Sequence, residues 1–289
     1  MIKSSHFIIG TTLTLLLLSG CARKSSEQSN SLQIKGSDTM VNLGQAWAEA
    51  YMKQNPGTSI AVTGGGSGTG ISAMVNNTCD IAEVSREMKE SEIALVESKG
   101  FTPKKIIVAL DGLAVVVNPA NKISELTIDQ LADVFTGKIK NWKELDGRDA
   151  KIVLLSREVN SGTHVYFKEH VLRHGNAEGK EEFAPEALLL SSSQAIADEV
   201  SQNLDAIGYY GMGYITTKEK ALKIAKEKNA PAISPTMDNV ISGAYPISRP
   251  LLMYSKGEPK GLVKSFIDYV LSPAGQEIVK KLDFVPVQK

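Results

Sequence analysis

The 289-residue sequence predicts an α/β protein of two domains, and three observations lead there. From Leu32 onward, short apolar runs of strand character alternate with stretches whose apolar residues recur at helical spacing. Two strongly β-prone runs, residues 106–117 and 251–254, stand far apart in the chain. If they lie side by side, the chain crosses twice between domains and the crossings form a two-strand hinge. Finally, segments rich in glycine and hydroxyl residues recur where a strand meets a helix.

The elements follow in order. Residues 1–20 read as a secretory signal: Lys3 gives one early positive charge, and the apolar run 7–18 is shorter than the roughly 20 residues a membrane-spanning helix needs. The run ends Leu18-Ser19-Gly20-Cys21, which resembles the lipobox of bacterial lipoproteins, whose cysteine receives a diacylglycerol. Residues 21–31 are then a lipidated Cys21 and a polar, flexible tether. With Cys21 acylated no disulfide can form within one chain, and Cys79, the only other cysteine, reads as a small buried hydrophobe without a role. Strands are expected at 32–34, 60–62 and 152–155, and helices at 41–51, from Ile71, and at 164–172. The two long β-prone runs then divide the chain into domain I, 32–115 plus 245–289, and domain II, 116–244.

Charge narrows the class of partner. Removing residues 1–20 takes away Lys3 alone and leaves 31 basic against 32 acidic residues. A chain this close to neutral has no electrostatic footprint for nucleic acid. An anion site must therefore be local.

The hydroxyl-glycine segments supply the means. They are Gly36-Ser37-Asp38-Thr39-Met40, Gly64-Gly65-Gly66-Ser67-Gly68-Thr69-Gly70, and Ser161-Gly162-Thr163. The first N–H groups of a helix lack intrahelical partners, and the helix dipole favours negative charge there. Glycine admits close backbone approach, while Ser and Thr add hydroxyl donors. Any one such loop is most simply a helix cap. Three aimed at one point would surround a small oxyanion. Neither a P-loop nor G-x-G-x-x-G occurs, which argues against a nucleotide. Arg86, after Ser85, and Arg157, four residues before Ser161, offer planar forks that match two oxygens of a tetrahedral anion.

These residues resemble the substrate-binding subunit of bacterial high-affinity phosphate ABC importers, the PstS family. Gly36-Ser37-Asp38-Thr39-Met40, Gly66-Ser67-Gly68-Thr69-Gly70, Asp80-Ile81-Ala82 with Ser85-Arg86, and Arg157 with Ser161-Gly162-Thr163 match its anion loops in order. Segment 131–139 with Asn141-Trp142, segment 206–211, and segment 272–276 with Phe284-Val285-Pro286 look like its scaffold signatures. The resemblance implies a type II periplasmic-binding-protein fold with the ligand cleft between two α/β domains. It implies a monomer that carries inorganic phosphate to a membrane permease, held at the cell membrane by its N-terminal lipid, with no cofactor, metal or catalytic residue. By position, the Thr39 hydroxyl and amide, the Met40 amide and Ser67 should hold one side of the anion, with Ser37, Ser85 and Arg86 in the adjoining loops. Arg157, Ser161, Gly162 and Thr163 should complete the shell from the other domain.

The chain departs from the family pattern at two aspartates. The one that accepts the proton of hydrogen phosphate gives way to Arg86, and the one that pairs with the arginine two residues before it falls on Val159. Asp38, Asp80 and Glu83 are the remaining candidates for a proton acceptor. Otherwise the site relies on donors and takes more fully ionised phosphate. Rival readings are a binder of sulfate or molybdate on the same fold, a structural lipoprotein, and an oxyanion-site hydrolase. Against the last, Gly-x-Ser-x-Gly is absent around Ser67 and Ser161, and the His170–His174 pair lacks the Glu of H-E-x-x-H and a third ligand.

Overall fold

A computed structural model describes residues 30–176 and 178–287. The signal sequence, Cys21 and most of the tether lie outside the described residues. The chain opens with β1 (Ser31–Gly36), α1 (Val41–Gln54), β2 (Ser59–Thr63), α2 (Ser67–Val75), β3 (Ile81–Val84) and α3 (Glu90–Glu97). The long β4 (Pro103–Val117) leads into β5 (Glu125–Thr127), α4 (Ile128–Phe135), β6 (Val153–Arg157), α5 (Gly162–Phe167), β7 (Leu188–Leu190), α6 (Ser193–Gln202) and β8 (Ala206–Gly211). Short strands β9 (Lys220–Ala221), β10 (Lys223–Ala225) and β11 (Ala232–Ile233) precede α7 (Met237–Ile241). The chain closes with β12 (Ser248–Lys256), α8 (Gly261–Val270) and α9 (Pro273–Lys281).

The main sheet runs β2-β1-β3-β12-β4-β8-β6-β7, with β9 added against β4. β4 and β12 are its seam. From Pro103 to Gly112, β4 pairs antiparallel with β12. From Leu113 to Val117 it pairs with β8 instead. The two distant β-prone runs thus do lie side by side, and one strand carries the backbone from the β1–β3 half into the β6–β8 half.

Hydrophobic burial fills the space on both sides. Trp47, Tyr51 and Phe266 lie in one cluster, where the Tyr51 and Phe266 rings meet edge-on at 5.5 Å. Phe135, Phe167 and Tyr209 lie in a second, with Phe167 stacked on Tyr209 at 3.9 Å. The scaffold segments are structural in a specific sense. Asn141 caps the turn that buries Trp142. Ser272 caps α9. Gln276 donates to the Val108 and Val270 carbonyls, and Phe284 is buried. Two helices differ from expectation. α2 begins at Ser67 rather than Ile71, because Ser67-Gly68 already has helical backbone after Gly66. The helix expected over 164–172 starts at Gly162 and ends in a π-helical turn, Lys168–Leu172. Among the described residues no helix is long and apolar enough to cross a membrane.

Candidate anion site

The three loops converge, and glycine is what lets them. β1 ends at Gly36 (φ 147°), where a Cβ would overlap the Glu83 carbonyl. Ser37 N–H donates to that carbonyl at 2.7 Å, which seats the loop on β3. Asp38–Met40 then forms one tight turn leading into α1. Met40 closes this turn through its N–H to the Ser37 carbonyl, and its side chain is core. Gly66 N–H donates to the Gly36 carbonyl at 2.9 Å, so the second loop is tied to the first.

The hydroxyls then meet. Ser37 Oγ donates to Ser85 Oγ at 3.0 Å, and Ser67 Oγ lies 3.3 Å from Ser85 Oγ. Ser67 Oγ also accepts from the Ser85 amide. From the far half of the sheet, Ser161 caps α5 by accepting from the Thr163 amide at 3.2 Å. Gly162 sits directly on the serines: a Cβ there would overlap Ser67 Oγ and lie 2.7 Å from Ser85 Oγ. Thr39 and Thr163 hydroxyls are 2.9 Å apart. All of these residues are buried.

Two arginines attend this cluster. Arg157, 1 % exposed, donates to the Leu190 and Ser191 carbonyls and to Ser193 Oγ, and pairs with Asp38 Oδ2 at 3.1 Å. Burial pulls its pKa down while Asp38 holds it up. Asp38 also accepts from the Ser193 amide and hydroxyl at the start of α6, at 2.8 and 2.9 Å. The partner of Arg157 therefore comes from across the cleft, where Val159 leaves none nearby.

The second arginine is not the expected one. Arg86 spends its fork on Glu92, with both contacts at 2.7 Å, and donates to the Glu87 carbonyl. Arg249 is the one that reaches the hydroxyls. It donates to Thr163 Oγ1 and the Ser85 carbonyl at 3.0 Å each, and grips Asp111 through Nε and a terminal nitrogen. Both side chains of this pair are fully buried. Burial pushes the Asp111 carboxyl up, against the pull of Arg249 and of the Met212 amide that donates to it. Sequence reading passed over the pair. A signal was present: Asp111 is the one charge inside the apolar run 106–117, and Arg249 directly precedes Pro250 and the other β-prone run. The β4–β12 register sets Arg249 opposite Asp111.

The remaining candidates separate cleanly. Asp80 accepts from the Gln33 amide. Glu83 is buried beneath α1, its Oε1 without a hydrogen-bond partner among the described residues, and burial pushes it up to about 8. Cys79 is buried and free, its thiol pushed up to about 11 by burial. His170 stacks on Tyr166, whereas His174 lies beside Asp129. The site thus opposes two buried cations with two carboxylates, beside hydroxyls brought together from both halves of the sheet. Such a set suits a small, strongly hydrogen-bonding oxyanion.

This fold and site define a solute-binding protein of the periplasmic-binding class: residues 22–274 match the family model described as the PBP superfamily domain. The chain is similar to the phosphate-binding protein PstS of Bacillus subtilis, 36 % identical over 93 % of this chain and 85 % of that one. It is also similar to PstS of Pseudomonas aeruginosa, 33 % identical over 92 % of this chain and 85 % of the other. Among solved structures it resembles one described as a phosphate ABC transporter substrate-binding protein of Clostridium perfringens with bound phosphate. That match has TM-score 0.80 and 34 % identity, and covers 89 % of this chain and 100 % of the other. An ABC-type phosphate transport receptor from Vibrio cholerae matches with TM-score 0.71 and 32 % identity, over 89 % of this chain and 100 % of the other. The chain belongs to the PstS family, and its fold is the two-domain periplasmic-binding-protein fold.

Proposed function

We propose that this chain captures inorganic phosphate between its two lobes outside the cytoplasm and delivers it to the permease of an ABC importer. One observation carries the reading. Hydroxyls of Ser37, Thr39, Ser67, Ser85 and Thr163 come from segments distant in sequence and meet within hydrogen-bond reach, beside buried Arg249 and Asp38-bound Arg157. The relatives' names, phosphate-binding protein PstS, supply the anion. The lobes are 32–115 plus 245–289 and 116–244. Ser37, Thr39, Ser67 and Ser85 serve from the first, on a turn that the Met40 amide closes instead of meeting the anion, and Arg157, Ser161, Gly162 and Thr163 serve from the second. Arg249 takes the part that sequence reading gave to Arg86. The site binds and does not transform its ligand, and the protein acts as a monomer held at the membrane through Cys21.

Both carboxylates at the site, Asp38 and Asp111, are committed to arginines. That arrangement favours recognition by donors over recognition of the phosphate proton, and it keeps a second reading open, a carrier of sulfate on the same donors. Calorimetric titration tests the site. Arg157→Ala should weaken phosphate by about 2 to 5 kcal/mol, the usual range for removing one partner of a buried charge pair. Thr163→Val should weaken it by about 1 to 3 kcal/mol, the cost of leaving a buried polar group unsatisfied. Wild-type affinity in both variants would remove these residues from the site.

A further inference from the structure

We infer that Asn160, which lies outside the hydroxyl cluster, is the positioning residue that clips the cleft shut over the bound anion. The inference rests on the phosphate reading above. Asn160 sits on the short connection between β6 and α5, one residue before Ser161. Its side-chain Nδ2 donates to the Gly65 carbonyl at 2.8 Å. Its own carbonyl accepts from the Gly68 amide at 2.9 Å. Both partners belong to the glycine loop before and at the start of α2, across the sheet seam from α5.

The glycines of that loop fit this contact. A Cβ at Gly66, whose φ is 99°, would lie 2.9 Å from the Asn160 carbonyl oxygen, and one at Gly68 would lie 3.2 Å from it. A side chain at either position would hold the two loops apart. Part of the glycine richness is thereby explained by the approach of the opposite lobe, and not by the ligand alone. Asn160 is exposed at the rim while Ser161, Gly162 and Thr163, immediately after it, are buried. These bonds, with a longer one from Nδ2 to Thr69 Oγ1 at 3.4 Å, can exist only when the loops are together. They therefore add to the closed state alone, and shift the open–closed equilibrium without touching the anion.

The test compares full-length wild-type protein with Asn160→Ala and Asn160→Asp by phosphate and arsenate titration, with melting of the ligand-free forms alongside. Removing the side-chain bond should raise the phosphate Kd roughly five-fold, as expected for one net hydrogen bond. Asn160→Asp, isosteric but set as an acceptor against the Gly65 carbonyl, should raise it further. Phosphate and arsenate should weaken by the same factor, because Asn160 acts on closure and not on the ligand. Ligand-free melting should stay at the wild-type value. Unchanged Kd in both variants, or a fall in ligand-free melting as large as the fall in the phosphate-bound form, overturns the inference. Absence of phosphate binding by the wild type would instead overturn the functional reading, and this inference with it.

Discussion

Arg249 and Asp111 show how much of the site depends on single side chains. Neither is exposed, and each is satisfied largely by the other. Removing one leaves an uncompensated buried charge, at about 3 to 5 kcal/mol. Asp111→Ala should therefore melt well below wild type. Asp111→Leu with Arg249→Met should recover most of that loss, because a packed apolar pair avoids desolvation altogether, yet bind phosphate poorly because Thr163 and the cluster lose their cation. Thermal unfolding and titration on the same samples separate the two effects, and equal stability of the single and double variants would contradict this account. Gly162 is a second such point. The Cβ of Gly162→Ala would enter the space held by Ser67 Oγ and Ser85 Oγ. Overpacking of this kind costs about 1 to 3 kcal/mol, which separating the lobes would relieve. The variant should thus fold normally and lose phosphate affinity by roughly ten-fold or more. A melting loss with intact affinity would show that the contact belongs to folding alone.

At the scale of elements, β3 and α1 enclose a group that the anion site does not use. The Glu83 side chain packs beneath α1, where a Cβ at Gly44 would lie 2.6 Å from Oε1. Burial alone raises its pKa from 4.5 to about 8. A raised acid holds its proton more tightly in the folded state. Its contribution to stability is therefore complete below the unfolded value of 4.5 and is lost as pH rises to about 8. His164, packed beside Ser156 and pushed down from 6.5 to about 4, acts on the other flank: its contribution is present above 6.5 and is lost as pH falls to about 4. Glu83→Gln should flatten the decline between about pH 4.5 and 8 and leave the acid loss from His164, as read from denaturant midpoints over pH. An unchanged slope in that window would mean that Glu83 is ionised in the folded state. Elements were also the level at which sequence was most legible. Apolar periodicity located β1, α1, β2, β4, β6 and β12, and the glycine-hydroxyl junctions located the loops that converge between the two halves of the sheet. What periodicity could not reveal was register. Only the pairing of β4 with β12 puts Asp111 opposite Arg249, and only packing of α3 on its neighbours gives Arg86 to Glu92. Each arginine looks alike in sequence, and its partner decides its role.

For the whole molecule, the decisive feature is that the site belongs to neither half of the sheet alone. Thr39 meets Thr163, Asp38 meets Arg157 and the start of α6, and the glycine loop meets Asn160. On the proposed reading, ligand binding and lobe closure are one event, because the donors that meet here come from both halves of the sheet. The resemblance found in sequence expected donors from both sides, and the structure adds that the carboxylate balancing Arg157 also crosses the gap. The most direct measurement of the central claim is phosphate titration with sulfate as competitor, from about pH 5 to about pH 9, spanning the second ionisation of phosphate itself. The expected result is tight phosphate binding that strengthens as the anion becomes more fully ionised, with sulfate the weaker competitor. Sulfate binding as tight as phosphate would contradict it, leaving the oxyanion cleft but removing its proposed cargo.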